Sequence, residues 1–133
     1  MTDPDVPEID GTTEGYWRAA ADGRLEATVC GACGAVTHYP RPFCPVCWSE
    51  EVTPKELSGH ATLYSYSVVH ANPVPPFADL VPYVAALVDL EEGPRMMTRL
   101  VDVHPADVSI GMALRATFER RGDDWGLVLF RPA

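Results

Sequence analysis

The chain has 133 residues, of which 47% are hydrophobic and 22% are charged, a composition typical of one globular domain with at most a small appendage. Its formal net charge of −9 disfavours a nucleic-acid-binding protein, because phosphate backbones require a basic surface. No apolar run is long enough to span a bilayer, and the acidic start MTDPD lacks the basic and apolar regions of a secretory signal. We therefore expect a cytoplasmic protein that binds neither nucleic acid nor membrane.

Residues 1–23 are predicted to form an acidic lead-in followed by an N-terminal helix. The first eleven residues contain four acidic residues and two prolines, which is typical of a loosely docked segment. A helix is predicted over about 12–22, because a threonine pair can cap its start and a glycine can end it. Tyr16 and Trp17 are its bulky residues. They either pack against the rest of the chain, which we favour, or contact a partner protein.

Residues 24–57 contain all four cysteines, in two Cys-x-x-Cys pairs formed by Cys30 and Cys33 and by Cys44 and Cys47. The turn of each pair directs two thiolates at one metal ion, and two pairs complete a tetrahedral Cys₄ zinc site. Structural zinc is favoured over disulfides, which need an oxidising compartment, and over a redox dithiol, which uses one pair. The spacing therefore predicts a zinc ribbon, whose closed metal site stabilises the fold and performs no chemistry.

Two further features of the ribbon follow from the sequence. His38 lies between the cysteine pairs, and because four cysteines already saturate zinc, we interpret it as a surface or turn histidine. The polar residues Glu50, Glu51, Lys55 and Glu56 are predicted to form a solvated exit from the ribbon.

Residues 58–133 are predicted to form five strands with a short helical link between the third and the fourth. The second strand is nearly all apolar, which indicates burial on both faces. Between the first two strands, the proline loop 71–82 is expected to be stiff and extended. Five strands with such a link fit an OB-fold barrel. The predicted fold class is mostly β, with an N-terminal helix, a Cys₄ zinc ribbon and a five-stranded OB-fold barrel.

Several motifs occur in order over residues 13–132. They are Tyr16–Trp17, CGACG at 30–34, HYPRPFCPVC at 38–47, LSGHATLYS at 57–65, PYVA at 82–85, EGPR at 92–95 and IGM at 110–112. Together they resemble the DUF35 family, in which a rubredoxin-like zinc ribbon is joined to an OB-fold.

The resemblance implies a non-catalytic accessory or scaffold subunit of a thiolase-superfamily enzyme. The partner would be a lipid-transfer-protein-like aldolase or a thiolase that acts on acyl-CoA thioesters, in steroid side-chain or other lipid or aromatic degradation. A CoA thioester would be the ligand of the complex, at or near the interface. A dimeric partner would give a heterotetramer of two plus two subunits under two-fold symmetry.

No catalytic residue is predicted on the chain itself. The cysteines are assigned to zinc, and the sequence contains no nucleophile elbow, Walker loop or dinucleotide-binding glycine motif. His70 ends the first strand of the barrel, where a hydrogen bond to the proline loop is a better interpretation than a general base.

Candidate contacts with a partner or with CoA are Tyr16, Trp17, His70, Phe77, Arg95 and Arg99. Phe77 lies in the proline loop, and a preordered loop loses little entropy on docking. Arg95 and Arg99 leave the same face of one strand and suit the phosphates of CoA, although surface salt bridges are the alternative. Two other functions stay open: a single-stranded nucleic-acid binder that stacks bases on Tyr64 and Tyr66, and a stand-alone acyl-CoA binder or hydrolase.

Overall fold

The computed structural model describes residues 6–133, so the first five residues of the predicted lead-in lie outside the described part. It contains one α-helix, α1 (Glu14–Ala21), and single 3₁₀ turns at Phe77–Asp79 and Pro105–Asp107. The eight strands are β1 (Glu26–Cys30), β2 (Val36–Thr37), β3 (Val52–Glu56), β4 (His60–Val69), β5 (Tyr83–Leu90), β6 (Arg95–Leu100), β7 (Ala113–Arg120) and β8 (Gly126–Pro132). The mostly β prediction is confirmed.

The predicted threonines do not cap helix α1 with their side chains; the Asp10 side chain instead caps the turn that leads into it. The Asp10 carboxylate accepts hydrogen bonds from the backbone N–H groups of Thr12, at 2.9 Å, and Thr13, at 3.0 Å. The Thr13 hydroxyl instead accepts from the N–H of Asp10, at 3.2 Å. The carboxylate thus satisfies N–H groups in the turn that leads into the helix. The chain leaves the helix through Gly23, whose φ of 79° suits a residue without a side chain.

The ribbon sheet has β1 at its centre, with β2 and β3 antiparallel on either side. The four residues of the predicted solvated exit are all exposed, but Lys55 and Glu56 belong to a strand, because Val52–Glu56 form β3 and pair with β1 along its whole length. Strand β3 lies at the sheet edge and its last four residues are exposed, which accounts for their polar composition. An edge strand also tolerates Pro54, which has no N–H to donate.

The barrel closes in the order β4-β5-β6-β8-β7, with β7 pairing back to β4. Strands β6 and β8 run parallel, and the other neighbours are antiparallel. The predicted five strands and the link before the fourth, at Pro105–Asp107, are both present. The barrel has the architecture of an OB-fold.

Strand β5 differs from its prediction of burial on both faces. Its burial alternates strictly: every second residue, from Val84 to Leu90, lies in the core, and the outward residues between them are half-buried. A barrel has one interior, so each strand can bury only one face in it. The outward apolar residues of β5, Ala85 and Leu87, are therefore not fully covered.

One hydrophobic cluster joins α1, the ribbon and the barrel, and it contains Tyr16 and Ala20 of α1, Ala27 of β1 and Phe130 of β8. Helix α1 approaches the barrel closely at Gly126, where a Cβ atom would lie 3.2 Å from the carbonyl oxygen of Ala20. The helix therefore belongs spatially to both parts. Within residues 6–133 no helix is both long and apolar enough to cross a membrane.

Candidate functional site

The four cysteine sulfurs converge at the end of the ribbon, all within 4.8 Å of one another. The Sγ atoms of Cys30 and Cys47 are 3.5 Å apart, and those of Cys33 and Cys44 are 3.6 Å apart. Tetrahedral zinc with bonds of about 2.3 Å spaces its sulfurs by about 3.8 Å, whereas a disulfide joins them at about 2.0 Å. The geometry therefore fits a metal ion held by four thiolates.

Backbone N–H groups favour the thiolate forms of the two buried cysteines. Cys33 and Ala32 donate to Cys30 Sγ at 3.4 and 3.3 Å, and Val46 donates to Cys44 Sγ at 3.4 Å. The hydrogen bonds from Cys33, foremost, and from Ala32 lower the pKa of the Cys30 thiol to about 6. Thiolate is the metal-binding form of cysteine. Zinc bound here would cross-link the two knuckles and, with four protein ligands, would leave no open position.

An aromatic cluster connects the ribbon to α1. The rings of Tyr16 and Trp17 pack against Tyr39, and the Trp17 indole N–H donates to the Tyr39 hydroxyl at 2.8 Å. Trp17 also lies edge-on to Trp125 beside β8, with ring centroids 6.2 Å apart. The favoured packing role is therefore present for both helix residues, whereas contact with a partner stays a prediction.

His38 belongs to this cluster: it lies in a bend, consistent with a turn histidine, but it is only partly exposed and is not a free surface residue. Its ring packs against Tyr16, at 5.3 Å between centroids, because the loop between the cysteine pairs folds onto α1. Burial lowers the pKa of His38 to about 4. Its Nε2 atom is buried without a hydrogen-bond partner among the described residues. The neutral imidazole is the form that this environment accepts.

A mostly apolar groove of about 360 Å³ opens beside α1, under the proline loop. It brings together four of the six predicted contact residues: Tyr16, Trp17, Phe77 and Arg99. The rest of its wall comes from β5, β6 and β8, including Met97 and Leu127. Its volume lies in the range of ligand pockets, about 300–1,000 Å³. The groove can accept an apolar chain, with one guanidinium in its wall.

The other two predicted contact residues lie elsewhere. Arg95 shares the outward row of β6 with Arg99, as predicted, but its Nε donates to Asp89 Oδ1 at 2.6 Å. Its guanidinium also lies 3.3 Å from the centre of the Tyr64 ring. His70 is exposed just after β4 and lines neither the groove nor the metal site.

Two exposed apolar surfaces were not predicted from the sequence. On the barrel, Met97 of β6 is 75% exposed and pairs with Leu87 of β5. At the second knuckle, Trp48 is 72% exposed and stacks on Phe43, next to Val46, which is 69% exposed. The run of apolar residues in β5 was a signal for the first surface, because it exceeds what a single buried face needs.

Comparison with known proteins identifies the family. A family model described as "ChsH2, rubredoxin-like zinc ribbon domain" matches residues 17–53, and one described as "ChsH2, C-terminal OB-fold domain" matches residues 54–119. A "DUF35 domain-containing scaffold protein" of Methanocaldococcus jannaschii is 43% identical over 96 residues, which cover 71% of this chain and 67% of that protein. The chain belongs to the DUF35 family. The family models meet after residue 53, and the predicted boundary after residue 57 stays a prediction.

Two further relatives of this DUF35 chain have names that refer to enzymes. A "Probable enoyl-CoA hydratase alpha subunit" of Thermomonospora curvata is 38% identical over 127 residues, which are 96% of this chain. The chain spans only 39% of that relative's length. A solved structure titled "Ltp2-ChsH2(DUF35) aldolase" has a chain with 37% identity and a TM-score of 0.84, and the match covers 96% of this chain and 98% of that one.

Proposed function

We propose that this chain is a non-catalytic accessory subunit of an enzyme that acts on acyl-CoA thioesters. The observation that carries the proposal is the open apolar groove beside an uncovered apolar barrel face, in a chain whose candidate metal site is closed by four cysteines. The similarity over nearly the full length to a chain from a structure titled as an aldolase supports it. The scaffold name of the Methanocaldococcus relative points the same way.

The partner in this proposal is a thiolase-superfamily aldolase or thiolase, bound as a heterotetramer of two plus two subunits. The aldolase title supports cleavage of a carbon–carbon bond as the reaction of the complex. Steroid or other lipid degradation is the proposed setting. The Thermomonospora relative's name favours a second candidate, in which the same accessory role is performed beside an enoyl-CoA hydratase.

Acyl-CoA is the proposed ligand of the complex, with part of its apolar portion in the groove. Trp17 and Phe77 offer apolar walls, and Arg99 is the cation that lines the cavity. Arg95 is less suited to bind a phosphate, because its guanidinium is already paired with Asp89. His70 lies outside the groove and is assigned no role in this arrangement.

Co-expression tests the proposal. The tagged chain is produced with a thiolase-superfamily enzyme, or with an enoyl-CoA hydratase, from the same genome, and the molar mass of the purified complex is measured by light scattering. We expect one partner to co-purify, and to lose solubility or acyl-CoA turnover when this chain is omitted. If both enzymes are stable and fully active without this chain, the accessory role is contradicted. Thioester turnover by the purified chain alone would favour the stand-alone enzyme instead.

A further inference from the structure

Two paired residues of β5 and two of β6 form a compact block on the outside of the barrel. Leu87 lies opposite Met97, and Ala85 lies opposite Arg99. We call these four residues the β5–β6 face. Side chains directly opposite on neighbouring strands are close enough to form one continuous surface. Because Ala85 and Met97 also line the groove, the face and the groove are continuous.

A shallow pocket adjoins the β5–β6 face and offers room for a partner side chain. Beside Met97 lies a shallow, mostly apolar dent of about 190 Å³, whose wall includes Ser65 and Ser67 of β4 and Leu87. Ser65, Ser67 and Ala85 contribute small side chains to this wall, which also includes Tyr66 and the long side chain of Met97. Methionine adapts its shape to a partner more readily than branched residues do, which suits a docking surface.

The pairing of β5 with β6 limits how a partner can bind to this face. The two strands pair with each other without interruption from Val84 opposite Leu100 to Asp89 opposite Arg95, so the surface between them presents side chains and no free backbone groups. Binding to this face must therefore use side chains, as when an apolar stretch of a helix or loop is laid across a sheet.

The charges around the face indicate what that segment carries. At one end, Asp89 and Arg95 neutralise each other in a salt bridge of 2.6 Å. At the other end, Arg99 is half-buried and has no ion-pair or side-chain hydrogen-bond partner among residues 6–133. In a chain of net charge −9, this face presents one uncompensated cation and no uncompensated carboxylate. Its electrostatic complement is an apolar segment with a carboxylate.

We propose that the β5–β6 face docks an apolar segment of the partner acyl-CoA enzyme, with a carboxylate of that enzyme opposite Arg99. This inference rests on the proposed function and adds the surface by which the partner is held. The exposed patch of Phe43, Val46 and Trp48 at the second knuckle is the rival surface, and it supplies the matched control.

The test uses single substitutions and the partner enzyme that co-purifies with the wild-type chain. Met97→Glu and Val46→Glu each place a carboxylate at a position that is 75% or 69% exposed. Because both side chains face solvent, both variants should unfold at the wild-type denaturant concentration. The dissociation constant for the purified partner is then measured by biolayer interferometry. We expect Met97→Glu to weaken binding at least about 30-fold, as at the centre of an interface, and Val46→Glu to change it less than about threefold.

A second measurement tests the carboxylate. Arg99→Glu should weaken partner binding at every salt concentration, and the remaining affinity should no longer fall as salt rises. Unchanged partner binding with loss of acyl-CoA binding to the complex would assign Arg99 to CoA and overturn the carboxylate pairing. If the complex survives Met97→Glu but not Val46→Glu, the knuckle patch is the docking surface and the inference is wrong. If the wild-type chain binds neither enzyme, the proposed function fails and the inference fails with it.

Discussion

Cys30 and Cys44 are buried and Cys33 and Cys47 are exposed, so the metal site has an inner and an outer half. Loss of either half removes a ligand from a tetrahedral site, and structural zinc contributes directly to folding. Cys33→Ser and Cys44→Ser should therefore both reduce bound zinc well below the wild-type content and unfold the ribbon, as measured by elemental analysis and circular dichroism. Val46→Ser, in the same knuckle, should keep its zinc. A Cys33→Ser chain that stays folded and zinc-loaded would refute the structural assignment.

His38 makes stability depend on pH. Its pKa of about 4 in the folded chain lies below the usual 6.5, so the unfolded chain binds the proton more readily. The contribution of the neutral ring is complete above pH 6.5 and is lost as the pH falls towards 4. The difference between the two pKa values corresponds to about 3 kcal/mol.

The measurement compares urea unfolding of the wild-type chain and of His38→Gln at several pH values. We expect the free energy of unfolding to fall more steeply for the wild type between pH 6.5 and 4. Acid also weakens zinc binding, but the cysteine ligands are the same in both chains, so the difference between the slopes isolates His38. If the free energy of unfolding fell equally with pH in both chains, protonation of His38 would not destabilise the folded chain and the prediction would be wrong.

At the level of elements, α1 connects the ribbon to the barrel through Trp17. One indole makes both the hydrogen bond to Tyr39 and the ring contact with Trp125. Trp17→Phe and Tyr39→Phe each delete one partner of the hydrogen bond, and a double-mutant cycle should give a coupling free energy of about 1 kcal/mol by urea unfolding. Trp48→Phe, at an exposed position, is the matched control and should change stability by less than about 0.5 kcal/mol. Additive effects of Trp17→Phe and Tyr39→Phe would mean that the bond adds nothing.

The packing of α1 on β8 depends on Gly126. A Cβ atom there would lie 2.9 Å from the carbonyl oxygen of Glu119 and 3.2 Å from Cα of Ala21, and neither backbone can yield as a flexible side chain would. Gly126→Ala should therefore destabilise the chain by about 1–3 kcal/mol in thermal unfolding. Gly11→Ala, where a Cβ atom meets nothing within 4 Å, is the control. If Gly126→Ala unfolded at the wild-type midpoint temperature, the helix would be able to shift away from β8 without loss of stability.

At the scale of the whole molecule, charge argues against the single-stranded nucleic-acid binder. Residues 58–133 contain six arginines and nine acidic residues. Tyr64, one of the two predicted stacking platforms, is covered by the Arg95 guanidinium. We expect no change in the fluorescence anisotropy of a labelled oligonucleotide on titration at low salt, where phosphate contacts are strongest. Saturable, salt-sensitive binding would reopen that function.

Features with local causes could be predicted from the sequence. The cysteine spacing indicated the metal site, and the alternating and apolar runs indicated five barrel strands. Strand β3 was missed because an edge strand needs few apolar residues, and its polar sequence looks like a loop. The groove could not be predicted as a unit, because α1, the proline loop and β6 are far apart along the chain and only the closed fold brings them together. The partial burial of His38 could not be predicted for the same reason, since it depends on contact with a distant helix.

The position of α1 has a practical consequence for dissecting the protein. A barrel fragment cut at residue 58 would contain every barrel strand yet lack the helix that covers Gly126 and forms one wall of the groove. Such a fragment would expose apolar surface that α1 covers in the intact chain. It would therefore aggregate, or would lose partner binding because of misfolding and not because a binding residue is missing. Point substitutions in the full-length chain are therefore the sounder means of separating the contributions of ribbon and barrel.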